Sequence, residues 1–263
     1  ALENRDEEQV RHDLAWRSDL LRLSLAGNLR DYGLATSDGR WRRGEEITYG
    51  DSPAAYGDQP IDSIAYVAAH DDETPSDRLT YKLPLGTAMA DRVRMNTLCL
   101  AAITLGQSPC FWAAGSELLR SKSLDADSYN SGDYFNAIDW TGRDNGWGRG
   151  LPPANRNFET WIIQAEILIR DDLRPTTHDI ASARAQALDL LRLRRSTPLF
   201  SLGSAELIRE RVSFPTAGPQ AQPGVIVMVI DDGAGEADVD PALDGVVVVF
   251  NMTPREVSQR VDA

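Results

Sequence analysis

At 263 residues, 42% hydrophobic and 25% charged, the chain has an ordinary globular composition and is long enough for one large domain or two smaller ones. Its 27 basic and 40 acidic side chains leave a net charge of −13, which repels phosphate backbones and anionic lipid and argues against nucleic acid and membrane as partners. No run reaches the roughly 20 apolar residues of a membrane span, the polar start Ala1–Glu8 does not read as a signal peptide, and two cysteines, Cys99 and Cys110, are too few for a disulfide framework or a zinc site and read as buried free thiols.

Residues 7–26 predict a helix with Val10, Leu14, Leu20, Leu21 and Leu25 as its apolar positions. Residues 27–60, rich in Gly, Asp, Ser and Pro, read as a long irregular loop, which in compact domains tends to border a functional site. Residues 61–69 read as a buried strand leading into His70-Asp71-Asp72-Glu73. A loop to Gly86, a helix over 88–105 stopped by Gly106, and a short apolar run Cys110–Ala114 follow, the order expected of a βα unit with parallel pairing.

A second long loop spans 120–157. The next helix carries Phe158, Trp161, Ile162, Ala165, Leu168 and Ile169 on one predicted apolar face, and another runs over 180–194 behind a capping box at Thr176–Asp179. After Pro198 the style changes to short strands, 205–212, 224–230 and 246–251, separated by turns. That pattern fits an antiparallel sheet or sandwich and places a domain boundary near 196.

In parallel α/β folds, functional residues collect where strands end. Two such ends are His70-Asp71 and Ala114–Glu117. By residue type alone the acidic cluster around His70 fits a solvated loop, a catalytic end or, less well, a metal site without helical ligand spacing. Asp231, Asp232, Asp238 and Asp240 lack the alternating spacing of a calcium loop and read as a solvated hairpin. Ala114-Gly115-Ser116-Glu117-Leu118 is not a nucleophile elbow, and no phosphate-binding glycine loop occurs.

Longer motifs narrow these options. Tyr66–Thr74 resembles the strand-seven motif of the α-amylase superfamily in the form found in pullulanases and limit dextrinases. Gly115–Ser123, Asp127–Asn136 and Ile138–Trp140 resemble the strand-eight loop of type I pullulanases. Leu25–Tyr32, Gly150–Pro153, Pro198–Phe200, Gly224–Met228 with Asp231–Gly233, and Val247–Asn251 extend the resemblance over nearly the whole chain.

The resemblance implies α/β plus all-β architecture. Residues 1–196 would be the C-terminal part of a (β/α)8 TIM barrel, its last two strands and following helices. Residues 197–263 would be an antiparallel β-sandwich C-domain, apparently incomplete. It also implies hydrolysis of α-1,6 glucosidic branch points in pullulan and limit dextrins with retention, across an oxocarbenium-like transition state. Asp71 matches the carboxylate that stabilises that state, and His70 the neighbour that bonds a sugar hydroxyl. Asp133 and Asn136 are candidate outer substrate contacts.

The nucleophile and general acid have no match. Arg17-Ser18-Asp19 lies in a helical segment and Gly44-Glu45 in the irregular loop. The expected partners are therefore an α-glucan and the N-terminal part of the same polypeptide, with the chain inactive by itself. No metal or cofactor is expected here, with calcium left open for the parent enzyme, whose location the sequence does not fix. A stand-alone α-glucan-binding module derived from such an enzyme, and a related enzyme of isoamylase or α-1,4 type, are the alternatives. Three positions depart from the pattern: Asp72 in place of Asn, Pro75-Ser76 in place of a Leu-aromatic pair, and Ala113 where His is common. Trp112, Trp140 and Trp161 read as packing residues, with Trp147 the remaining candidate sugar platform.

Overall fold

The computed structural model describes residues 6–235 and 237–260. The extreme start, Glu236 in the acidic turn, and the end of the expected sandwich at 261–263 lie outside them. The helices are α1 (Glu7–Leu25), α2 (Pro75–Lys82), α3 (Met89–Thr104), α4 (Gly132–Asn136), α5 (Ala154–Asn157), α6 (Trp161–Leu168), α7 (Thr177–Ser196) and α8 (Ala205–Arg211). The strands are β1 (Gly33–Ala35), β2 (Trp41–Arg43), β3 (Thr48–Tyr49), β4 (Ser52–Pro53), β5 (Val212–Ser213), β6 (Val225–Asp231) and β7 (Gly245–Asn251). No described helix is long and apolar enough to cross a membrane. The chain forms two compact units, one from residues up to 65, 102–110 and from 193 onward, the other from 66–101 and 111–192.

In the first unit, Asp6 caps α1 and two glutamates occupy its first turn, where they oppose the helix dipole. Its apolar face is the expected one only in part: Leu25 is buried as expected and Leu23 joins it, while Val10 and Leu14 stay exposed. Asp19, fully buried, pairs with buried Arg22 at 2.7 Å and accepts the Ser37 N–H at 2.8 Å. The Arg-x-Asp of this segment thus builds the fold. The irregular loop folds into two antiparallel hairpins, β1–β2 and β3–β4.

β5, β6 and β7 form one antiparallel sheet with β6 in the middle, paired from Val225↔Asn251 to Asp231↔Gly245. As a central strand β6 buries both faces, including Ile226, Val227, Met228 and Ile230. At the edge, β7 leaves Val247 and Val249 about half exposed. Residues 205–212, expected as a strand, are mostly helix. The Ser204 hydroxyl caps the Leu207 N–H at 3.2 Å, and Ala205, Ile208 and Arg211 are buried at helical spacing. Arg211 pairs with Asp232, whose carboxylate also accepts the Val239 and Asp240 N–H groups at 3.1 and 2.7 Å. So that aspartate of the acidic turn is an internal anchor rather than a solvated group.

In the second unit, Leu124, Trp147, Ile167 and Leu173 form one core cluster and Val93, Leu119 and Ala183 another. The capping box of α7 is formed: Thr176 N–H donates to Asp179 at 2.8 Å and Asp179 N–H to the Thr176 hydroxyl at 3.2 Å. The apolar face expected for residues 158–169 is turned outward. Phe158, Ile162 and Ile169 are 67%, 78% and 81% exposed, while Gln164 and Ile167 are buried. Gln164 turns inward because its amide donates to the Leu124 carbonyl at 3.0 Å and to the Tyr81 hydroxyl.

The expected strand 61–69 begins as a short turn, Pro60–Asp62, and makes a single parallel bridge, Ala65↔Cys110, with the Ala65 N–H on the Pro109 carbonyl at 2.8 Å. Ile61, Ile64, Tyr66 and Val67 are exposed. One bridge gives no ladder to cover these side chains, and only Tyr66 finds a ring partner among the described residues, stacked on Phe111 with centroids 5.0 Å apart. Cys99 and Cys110 are free and only part-buried. Burial raises the Cys99 thiol above its ordinary range.

Candidate functional site

The His70–Glu73 turn owes its shape to groups behind it. Asp72 takes a left-handed backbone conformation, φ 59°, which a short polar side chain tolerates better than most. Its carbonyl accepts a hydrogen bond from the Lys122 ammonium, which also reaches the Ser128 hydroxyl. Lys122 is itself buried, and its own backbone N–H donates to Asp77 at 2.7 Å. The Ser121 hydroxyl holds the other Asp77 oxygen at 2.5 Å. Asp77 enters from α2, where the Thr74 hydroxyl caps the first turn at 3.2 Å and Pro75 fits the position in which a missing N–H is harmless.

Asp77 is completely buried, and burial pushes its carboxyl up to about 6 against the hydrogen bonds from Ser121, Lys122 and Leu124 and the Lys122 charge, which favour the ionised form. Burial likewise lowers Lys122 below the ordinary lysine range, opposed by the charges of Asp125 and Asp77.

The carboxylates of the turn differ in what engages them. Asp72 pairs with Arg156 at 3.0 Å and Glu73 with Arg78 at 2.7 Å. Among the described residues Asp71 meets only the His70 imidazole, at 3.4 Å, with the two side chains 58% and 89% exposed. His70 borders a shallow depression with Ala68, Thr74, Ala113, Arg120 and Lys122. The arrangement offers an accessible carboxylate that no arginine engages beside an accessible imidazole, on a turn bolted down from beneath.

Asp133 and Asn136 lie on α4. The Asn136 amide donates to the Ser128 and Gly132 carbonyls at 2.7 and 3.0 Å, and its own carbonyl accepts Arg120 at 2.6 Å. Asn136 therefore joins the same network as the turn, through Ser128 and Lys122, while Asp133 stays exposed. Arg120 in turn packs on Gly115, φ 89°, where a Cβ would fall 2.8 Å from its side chain. Trp147, the candidate platform, is buried and donates to the Arg170 carbonyl at 3.3 Å, so it packs. Trp140, expected to pack, is 62% exposed. Lys122 and Asp77 escape a reading by residue type, because a lysine between serines looks like surface; the apolar Leu118, Leu119 and Leu124 around it are the signal that it is not.

Residues 142–263 match the family model for the C-terminal region of pullulanase-type alpha-1,6-glucosidases. The chain is 42% identical to pullulanase 1, chloroplastic, of Arabidopsis thaliana over 90% of its own length and 25% of that protein. It is 39% identical to a Klebsiella pneumoniae pullulanase over 94% of its own length and 22% of that protein. The chain belongs to the pullulanase family, as a C-terminal portion. The crystal structure of Klebsiella pneumoniae pullulanase complexed with maltotriose superposes with a TM-score of 0.87 at 39% identity, over 91% of this chain and 23% of that one. The chain thus spans about a quarter of the length of the pullulanases it matches.

Proposed function

We propose that the chain is the C-terminal part of the catalytic region of a debranching enzyme that hydrolyses α-1,6-glucosidic links in pullulan and limit dextrins with retention. In this reading residues 1–196 supply the last two strands of a (β/α)8 barrel with their helices, and residues 197–263 a β-sandwich C-domain. The nucleophile and general acid come from the preceding part of the polypeptide. Asp71 stabilises positive charge as the sugar ring flattens, and His70 bonds a hydroxyl of the same sugar. Asp133 reaches a more distant sugar, with Asn136 chiefly holding the loop that carries it. Carboxylate chemistry of this kind needs no cofactor.

The observation that carries the proposal is the accessible Asp71–His70 pair on a turn fixed by buried Lys122 and Asp77. Two further observations support it. The parallel bridge at Ala65↔Cys110 is the pairing two neighbouring barrel strands would make. The exposed Ile64, Tyr66 and Val67 are what such a strand shows without its other neighbours. The solved maltotriose complex of the Klebsiella enzyme makes an α-glucan the natural substrate class.

The purified 263-residue chain is expected to release no reducing ends from pullulan, because two of three catalytic carboxylates lie elsewhere. Release at a rate that survives repurification would overturn the proposal.

A further inference from the structure

The outer face of the β1–β2 hairpin carries Gly33, Ala35, Trp41 and Arg43, since Ala35 pairs with Trp41 and Gly33 with Arg43, while Leu34 points inward and is buried. Trp41 is diagonal to Gly33 and lies across it. A Cβ on Gly33 would come within 2.7 to 2.9 Å of three indole atoms, so only glycine leaves room. The indole is thereby held by one face and is still 72% exposed. A tryptophan covering a strand glycine has a structural use, but that use does not require a polar cleft in front of the ring.

Such a cleft is present. Trp41 borders a space of about 680 Å³, within the range of roughly 300–1,000 Å³ typical of small-ligand sites. Its polar rim is Asp31, Arg43, Arg209 and Glu210. Asp31 and Arg209 pair at 2.6 Å with each side chain about 40% exposed, so both keep hydrogen-bonding capacity toward the cleft. Planar carboxylates and guanidinium groups beside a fixed indole face match a pyranose. That ring offers C–H groups on its face for the aromatic surface and hydroxyls at its edge for charged, bidentate partners.

We infer that Trp41 and this cleft form a second α-glucan-binding site on the first compact unit, separate from the Asp71 turn. The choice of sugar rests on the proposed function; the choice of place rests on the geometry above. A polymeric substrate gives such a site its use, since one hold on the chain raises the local concentration of further links at another.

The test is affinity electrophoresis of the purified chain through gels containing soluble amylopectin or pullulan, with laminarin gels and sugar-free gels beside them. The wild-type chain should be retarded by the α-glucans and not by laminarin. Trp41→Ala should lose at least about fivefold in apparent affinity. Gly33→Ala, which displaces the indole without removing it, should lose affinity as well, whereas Trp140→Ala, removing another exposed tryptophan, should not. Circular dichroism reports whether each variant folds; if Trp41→Ala does not, Arg209→Gln, on the cleft rim, carries the same expectation of loss.

Absent retardation of the wild type, retardation by laminarin alone, unchanged retardation of Trp41→Ala, or equal loss in Trp140→Ala would each overturn the inference. Because this is binding without turnover, its failure is separable from failure of the debranching proposal, which is read from hydrolysis.

Discussion

Asp71→Asn, introduced into a polypeptide that also carries the nucleophile and the general acid, is expected to lower pullulan hydrolysis at least about a hundredfold, the scale on which one preorganised electrostatic group acts. The effect should fall on kcat more than on KM, because the lost charge matters most as the ring becomes cationic. Stability should hardly change. Asp71 is 58% exposed and its partner His70 is 89% exposed at 3.4 Å, and pairs of that kind contribute between nothing and about 1 kcal/mol. A variant that keeps its melting temperature and loses its rate would match the assignment; one that keeps its rate would remove Asp71 from the chemistry.

Asp77→Ala should do the reverse, acting on the fold. The carboxyl is fully buried and takes both the Ser121 hydroxyl and the Lys122 N–H. Its removal leaves buried donors without a partner and opens a void, together about 3 kcal/mol at pH 5. The His70–Asp71 turn loosens with it, because Lys122 is what holds the Asp72 carbonyl.

The isosteric Asp77→Asn adds a pH signature. Burial raises the wild-type carboxyl to about 6 from an ordinary 3.8, so the folded chain holds the proton more tightly than the unfolded one. The stability this gives is full below about pH 4 and is lost as the pH rises through about 6. Asparagine does not titrate, so the stability difference between wild type and Asp77→Asn should shift against the wild type by about 3 kcal/mol across that window. Urea unfolding at pH 4, 5, 6 and 7 measures it. A difference that stays flat would mean that burial does not govern this group.

Elements with strong local signals were legible from sequence. The α3 and α7 helices have long helix-forming runs, and α7 has its capping box as well. The apolar β6 and β7 runs lie within a residue or two of their expected places.

Where local signals conflict, the reading fails for identifiable reasons. Leu207-Ile208 and Val212 suggest a strand, but the Ser204 cap and the buried Arg211–Asp232 pair select a helix for most of that run. Phe158, Ile162 and Ile169 look like a core stripe, yet the unit's own core is reached by Gln164 and Ile167 instead. Residues 61–69 have strand composition but only one bridging partner, and strands exist through their neighbours.

In the candidate site, His70 and Asp71 were nominated by motif resemblance. The network beneath them stayed hidden, since nothing local says that the Lys122 ammonium closes on a carbonyl 50 residues away. The hairpin glycine under Trp41 is equally non-local in origin, a diagonal contact created only by the register of β1 on β2.

The most direct measurement is a crystal structure of the polypeptide containing this chain and its catalytic partners, soaked with an α-1,6-branched malto-oligosaccharide after the nucleophile is disabled. The account predicts a glucose ring at the branch point with its hydroxyls within hydrogen-bonding distance of the Asp71 carboxylate and the His70 imidazole. A well-ordered branch point bound elsewhere, with Asp71 facing bulk water, would contradict it.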